Sequence, residues 1–151
     1  MWRPYHARLE RELARVRAEH GIAVLWDAHS IVSSAPRLFE GRLPDFNLGT
    51  ADGASCDPEL AQRLSVAVAR RAGYTSVLNG RFKGGYITRH YGDPAGAIHA
   101  VQLEMAEAIY MDEVPPYPFQ SDRAGRVRAI LREQLEIALD WARQRGTHPA
   151  R

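Results

Sequence analysis

The chain has 151 residues, 45% of them hydrophobic and 25% charged, with a formal net charge of +2. That length suits one core and one domain over residues 1–151, and the composition is that of a soluble globular protein, not a disordered or fibrous one. No apolar run reaches the roughly 18 residues of a membrane helix, no apolar stretch follows Arg3, Arg8 and Arg11 to make a secretory signal, and the lone cysteine, Cys56, excludes an internal disulfide and suits a reducing cytoplasm.

In chain order, residues 3–19 predict a helix with Tyr5, Leu9, Leu13 and Val16 on one stripe, ended by Gly21. The apolar run Ile22-Ala-Val-Leu-Trp26 predicts a strand buried on both faces that stops before Asp27. Residues 30–57 read as a long loop with a short strand at Phe46–Thr50. Asp57 caps a helix that has Pro58 in its first turn and Leu60, Leu64 and Val68 along its apolar side, and Gly73 closes it. Tyr74–Leu78 is a second candidate strand, followed by the Asn79-Gly80 turn and a flexible point at Gly84-Gly85. Ile98–Met105 is a third, with Val101, Leu103 and Met105 on one side and Ala100, Gln102 and Glu104 on the other. A proline-rich loop at 115–118 precedes a helix from Ser121 to Arg145, striped by Val127, Leu131, Leu135, Ala138 and Ala142 and stopped by Gly146. The succession of helices and strands predicts an α/β fold.

Four places carry residues suited to chemistry. Asp27 and His29, two apart where the first strand is expected to end, point to the same side, and strand ends are where open α/β sheets bind ligands. A neutral imidazole there suits a zinc ion, with a carboxylate fixing its tautomer; the plainer alternative is a capping Asp beside a satisfied His. Glu104 shares a face with Gln102 late in an apolar strand, where a carboxylate is costly unless paired or functional, and it suits a general base beside an activated water. The alternative is an edge strand with a solvated Glu104. His99 faces away from Glu104 in a regular strand.

The stretch Arg81-Phe-Lys-Gly-Gly-Tyr-Ile-Thr-Arg-His-Tyr-Gly92 is the densest cluster. Arg89 can fork a carboxylate and Lys83 adds a point charge, which suits a small dicarboxylate; a solvated basic loop is the alternative, and no phosphate-loop pattern is present. Asn47–Cys56 reads as a turn-rich wall of the same pocket, and the spacing of Asp45, Asn47 and Asp52 does not match a calcium loop. Cys56 reads as a buried small residue, His6, His20 and His148 as surface residues, and Tyr117 with Phe119 as packing on the core rim. All 20 basic residues except Lys83 are arginine, interspersed with acidic side chains and without any nucleic-acid-binding signature, so nucleic acid is not an expected partner.

Together, Trp26-Asp-Ala-His-Ser30, Asn47 through Cys56, Asn79 through Gly92, His99-Ala-Val-Gln-Leu-Glu104 and Tyr110-Met-Asp-Glu113 resemble successive blocks of the N-formylglutamate amidohydrolases, over nearly the whole chain. The resemblance implies a three-layer mixed sheet flanked by helices, akin to zinc carboxypeptidases and desuccinylases. It implies zinc-dependent hydrolysis of N-formyl-L-glutamate to formate and L-glutamate in histidine degradation. It makes His29 a zinc ligand, Glu104 the general base and Arg89 the grip on a glutamate carboxylate, with Lys83 or Asn47 helping.

The family's Ser-Pro-His-Ser-Gly-like block and an acidic residue, which resemble the other two zinc ligands, are not found in this sequence. The resemblance therefore implies the C-terminal part of the fold, as a fragment, a late-start product or a degenerate paralogue, with doubtful activity on its own and sheet edges that need covering. Two other functions stay open: an amidohydrolase for a different N-acyl amino acid, and a non-catalytic binding module. The expected ligand is a small acyl-amino acid; self-association into a homo-oligomer is also left open.

Overall fold

The computed structural model describes residues 2–146. His148 lies outside the described residues. The elements in chain order are α1 (Trp2–His20), β1 (Ala23–Ile31), β2 (Phe46–Gly49), α2 (Pro58–Ala69), β3 (Ser76–Leu78), α3 (Tyr86–Tyr91), β4 (Ile98–Ala106) and α4 (Ser121–Arg145). The four strands form one mixed sheet in the order β1-β4-β2-β3, with β1 parallel to β4, β2 antiparallel to β4, and β3 parallel to β2. Among the described residues β1 is an edge strand; its apolar run is packed on both faces as expected, Ala23 and Leu25 on one and Val24 and Trp26 on the other, though only Ala23 is fully buried in the strand.

Helices cover both faces. On one, Phe46, Leu48, Val101 and Leu103 meet Leu60, Leu64 and Val68 of α2 and Val127, Ile130 and Trp141 of α4 in the main core. On the other, Leu13 of α1 and Tyr91 of α3 close over Ala23, with Leu25 and Ile98 beside them. The alternation expected for β4 holds, but it is a central strand buried on both sides, so the edge-strand alternative for Glu104 falls away. No helix among the described residues is long and apolar enough to cross a membrane.

The expected element ends shift where tertiary contacts outweigh local composition. β1 runs on through Asp27 and His29 to Ile31, because β4 pairs with it residue for residue along its whole length. Tyr74 lies before β3 and packs edge-on against Phe46, with ring centroids 5.5 Å apart. α4 starts and stops where expected, but its buried stripe runs through Ala124, Val127, Ile130, Gln134, Ala138 and Trp141, and Leu135 is 49% exposed. Tyr5 is likewise exposed, at 55%. Tyr117 and Phe119 project from the proline loop, 55% and 57% exposed, and do not form a core rim. His6 is half-buried, its Nδ1 2.7 Å from the Tyr91 hydroxyl.

Candidate active site

The pairing register assembles two polar rows on the face that α1 and α3 cover at its lower end. Asp27, Gln102 and Gly49 form one row; His29, Glu104 and Asn47 form the next. Side chains of directly paired residues lie on the same face, so three strands deliver their polar groups to one surface. The opposite residues, Trp26, Val101 and Leu103, go into the main core. A one-residue slip of β4 would bury Glu104 among those apolar side chains, which fixes the register.

Within these rows His29 Nε2 sits 2.8 Å from Asp27 Oδ1. The carboxylate can hold one tautomer and ring orientation, and it leaves Nδ1 without a partner among the described residues. His29 is exposed, while Glu104 beside it is only 8% exposed. Burial pushes the Glu104 carboxyl above its ordinary range, partly countered by the His29 imidazole and reinforced by the negative charge of Asp27. A carboxyl raised in this way holds a proton more readily than an exposed one.

The glycine-rich segment is laid directly onto this face. A Cβ on Gly49 would stand 2.6 Å from the Gly84 nitrogen and 2.6 Å from the Lys83 carbonyl carbon, so only glycine lets the loop backbone pass there. Gln102, 5% exposed, accepts the Gly85 N–H at 2.6 Å through Oε1. Arg89, one turn into α3, donates to the Gly84 carbonyl. The loop and Arg89 are thus tied to the Asp27–Gln102–Gly49 row. Sequence reasoning placed Gln102 on the right face but gave it no task; only the fold brings the Gly85 amide to it.

The remaining expected site residues are engaged as follows. Lys83 Nζ pairs with Asp52 at 3.0 Å on the surface. Asn47 has no solvent exposure and donates to the Pro44 and Glu104 carbonyls at 2.7 Å and 3.0 Å, bracing the strand that carries Glu104, while its Oδ1 stays buried without a partner. Asp45 accepts from Arg42, from the Thr75 amide and from the Thr75 hydroxyl, a lock between the β2 and β3 ends. His99 lies on the other face, edge-on to Trp141, where burial holds its imidazole below the ordinary value and Nδ1 accepts the Asp57 N–H. The Cys56 thiol is buried and pushed up to about 12, which removes it as a nucleophile.

A catalytic zinc takes about three protein ligands and an open position. Among the described residues no group of three His, Cys, Asp or Glu side chains converges closely enough to hold a metal ion. The donors present on this face do not, by themselves, fit a complete zinc centre.

A sequence model described as N-formylglutamate amidohydrolase matches residues 1–111. The chain is 59% identical, over 145 residues, to N-formylglutamate deformylase of Pseudomonas aeruginosa, and 57% identical to the Pseudomonas putida deformylase. In each case the match covers 96% of this chain and 54% of the relative, so the chain spans about half the length of these proteins. The crystal structure of N-formylglutamate amidohydrolase from Ralstonia eutropha JMP134 superposes with a TM-score of 0.75 at 28% identity, over 93% of this chain and 51% of that one. The chain belongs to the N-formylglutamate amidohydrolase family.

Proposed function

We propose that this chain supplies the proton-transfer and substrate-orienting side of a deformylase site that hydrolyses N-formyl-L-glutamate to formate and L-glutamate. The observation that carries the reading is the pairing of His29 with Glu104 across β1 and β4, in a family whose relatives at 57–59% identity are N-formylglutamate deformylases. Glu104 takes a proton from water as its oxygen adds to the formyl carbon. The same proton then goes to the departing nitrogen as the C–N bond breaks, giving formate and free glutamate. Arg89 holds a glutamate carboxylate, with Lys83 adding positive charge at the loop and Asn47 fixing the Glu104 backbone.

Zinc dependence belongs to the same reading, with His29 as the donor that this chain offers and further ligands from outside it. So do a desuccinylase-like wider fold, cytoplasmic residence and a role in histidine degradation. The chain acts with the remaining half of the family's fold in place, since the donors among its described residues fall short of a metal centre.

The test is formate release from N-formyl, N-acetyl and N-succinyl glutamate by the chain joined to the unmatched part of the P. aeruginosa deformylase. Release from the formyl compound alone is the expected result. Preferential cleavage of another acyl group would reassign the substrate, and no cleavage of any of the three by a folded, zinc-loaded assembly would leave a binding module as the better reading.

A further inference from the structure

Of the non-glycine residues with left-handed φ, Ala51 (φ 50°), Asp52 (φ 54°) and Asn79 (φ 53°) meet where the glycine-rich loop crosses the end of β2. Aspartate and asparagine tolerate that conformation; alanine has no side-chain hydrogen bond to offset it. Consecutive left-handed residues persist only where their surroundings hold them. Here the Thr50 N–H donates to Asn79 Oδ1 at 2.8 Å, Asn79 Nδ2 donates to Thr50 Oγ1 at 2.9 Å, and the Gly53 N–H donates to the same Thr50 Oγ1 at 3.2 Å. The Ala51 N–H donates to the Lys83 carbonyl at 2.6 Å. Lys83 in turn extends its Nζ to Asp52 Oδ2 at 3.0 Å. Lys83 is thus held at both ends, its backbone by Ala51 and its ammonium by Asp52.

Stability does not account for this arrangement. The side chains of Lys83 and Asp52 are 54% and 61% exposed, and an exposed ion pair returns too little to offset a strained turn. What the turn does achieve is placement. A short carboxylate on a fixed backbone sets where the negative charge stands, and a lysine on its flexible four-carbon stem needs such an anchor to keep one position. The loop that carries Lys83 lies on the Asp27–Gln102–Gly49 row, and Arg89 donates to Gly84 of that loop. One N–H of the ammonium goes to Asp52, which leaves two without partners among the described residues. We propose that Asp52 is a positioning residue for substrate binding: it anchors the Lys83 ammonium at the loop so that its remaining N–H groups meet a carboxylate of an acidic N-acyl amino acid. The inference rests on the deformylase reading and deepens it, since it assigns the recognition of substrate charge to a strained turn that touches neither Glu104 nor His29.

The experiment measures steady-state kinetics and Tm on the assembled enzyme, this chain joined to the unmatched part of the P. aeruginosa deformylase. Asp52→Asn should raise KM for N-formylglutamate about two- to fivefold, the range of an exposed ion pair, with kcat unchanged, and should add nothing in a Lys83→Met background. Asp52→Gly should show the same rise in KM with Tm equal to or above that of the parent, because glycine takes the left-handed turn without strain. In the 151-residue chain itself Lys83 is the only lysine, so isotope-labelled lysine reports one side chain by NMR. Its ε-methylene protons should be inequivalent in the parent and degenerate in Asp52→Asn. Any of four results overturns the proposal and leaves the deformylase reading in place: degenerate protons in the parent, a KM that stays or falls in Asp52→Asn, effects of Asp52→Asn and Lys83→Met that add, or a Tm lowered by Asp52→Gly. A folded, zinc-loaded parent assembly that cleaves no formyl substrate removes that reading, and the proposal with it.

Discussion

His29 of β1 and Glu104 of β4 are direct partners in the parallel register, so a buried carboxyl and an exposed imidazole lie side by side on one face. Asn47 completes the row from β2 without touching solvent. The register is enforced by the main core on the reverse face, where Val101 and Leu103 alternate with these polar residues.

Glu104 carries a pH signature. Burial raises its pKa in the folded state, so the neutral form is favoured on folding. Its contribution to stability is fully present below the unfolded value of about 4.3 and is lost as pH rises through the higher folded value. Glu104→Gln, which cannot ionise, should therefore raise Tm relative to the parent at pH 7–8, and the gain should vanish near pH 4. Thermal melts of both proteins across that range check it; a gain independent of pH would contradict it.

Gly49→Ala should destabilise the chain by about 1–3 kcal/mol, the usual penalty for forcing atoms into packed space. The obstruction is the backbone of Lys83 and Gly84 at 2.6 Å, which cannot rotate away as a side chain would. Chemical denaturation measures the loss, and slowed proteolysis of the 81–85 loop in the variant would contradict the displacement that the collision implies.

Gln102→Leu should remove the acceptor for the Gly85 amide and cost about 1 kcal/mol of stability. In the assembled enzyme its effect should fall on KM for N-formylglutamate more than on turnover, because the tie runs through the glycine loop to Arg89. A pure loss of turnover with KM unchanged would place Gln102 in the chemistry.

Arg89→Leu should raise KM for N-formylglutamate about 10- to 100-fold, the equivalent of a hydrogen bond to a charged group of about 1.5–3 kcal/mol. Steady-state kinetics against the free-acid substrate and its side-chain amide would separate the two carboxylates: the variant should narrow the difference between them if Arg89 grips the side-chain group. An unaltered KM for both compounds would remove Arg89 from binding.

Much of the fold was legible because periodicity and punctuation are local signals. The start of α2 follows from its Asp57 cap and Pro58, the span of α4 from helical spacing that ends at Gly146, and the alternation of β4 separates Glu104 from His99. What was not legible depends on partners distant in sequence. β1 continues past Trp26 only because β4 lies beside it, and its position at the sheet edge depends on strand order, which no window of sequence encodes. The His29–Glu104 pair needed the register, and the Gln102 tie needed the loop that crosses Gly49. Leu135 looked like core from its spacing, yet it faces a groove beside β1.

The most direct measurement is formate release from N-formyl-L-glutamate by the assembled enzyme carrying Glu104→Gln, with zinc content determined on the same samples. Glu104 as the proton-transfer group predicts turnover reduced about 10²- to 10⁴-fold with zinc content and substrate affinity retained. Turnover equal to that of the parent enzyme would contradict it.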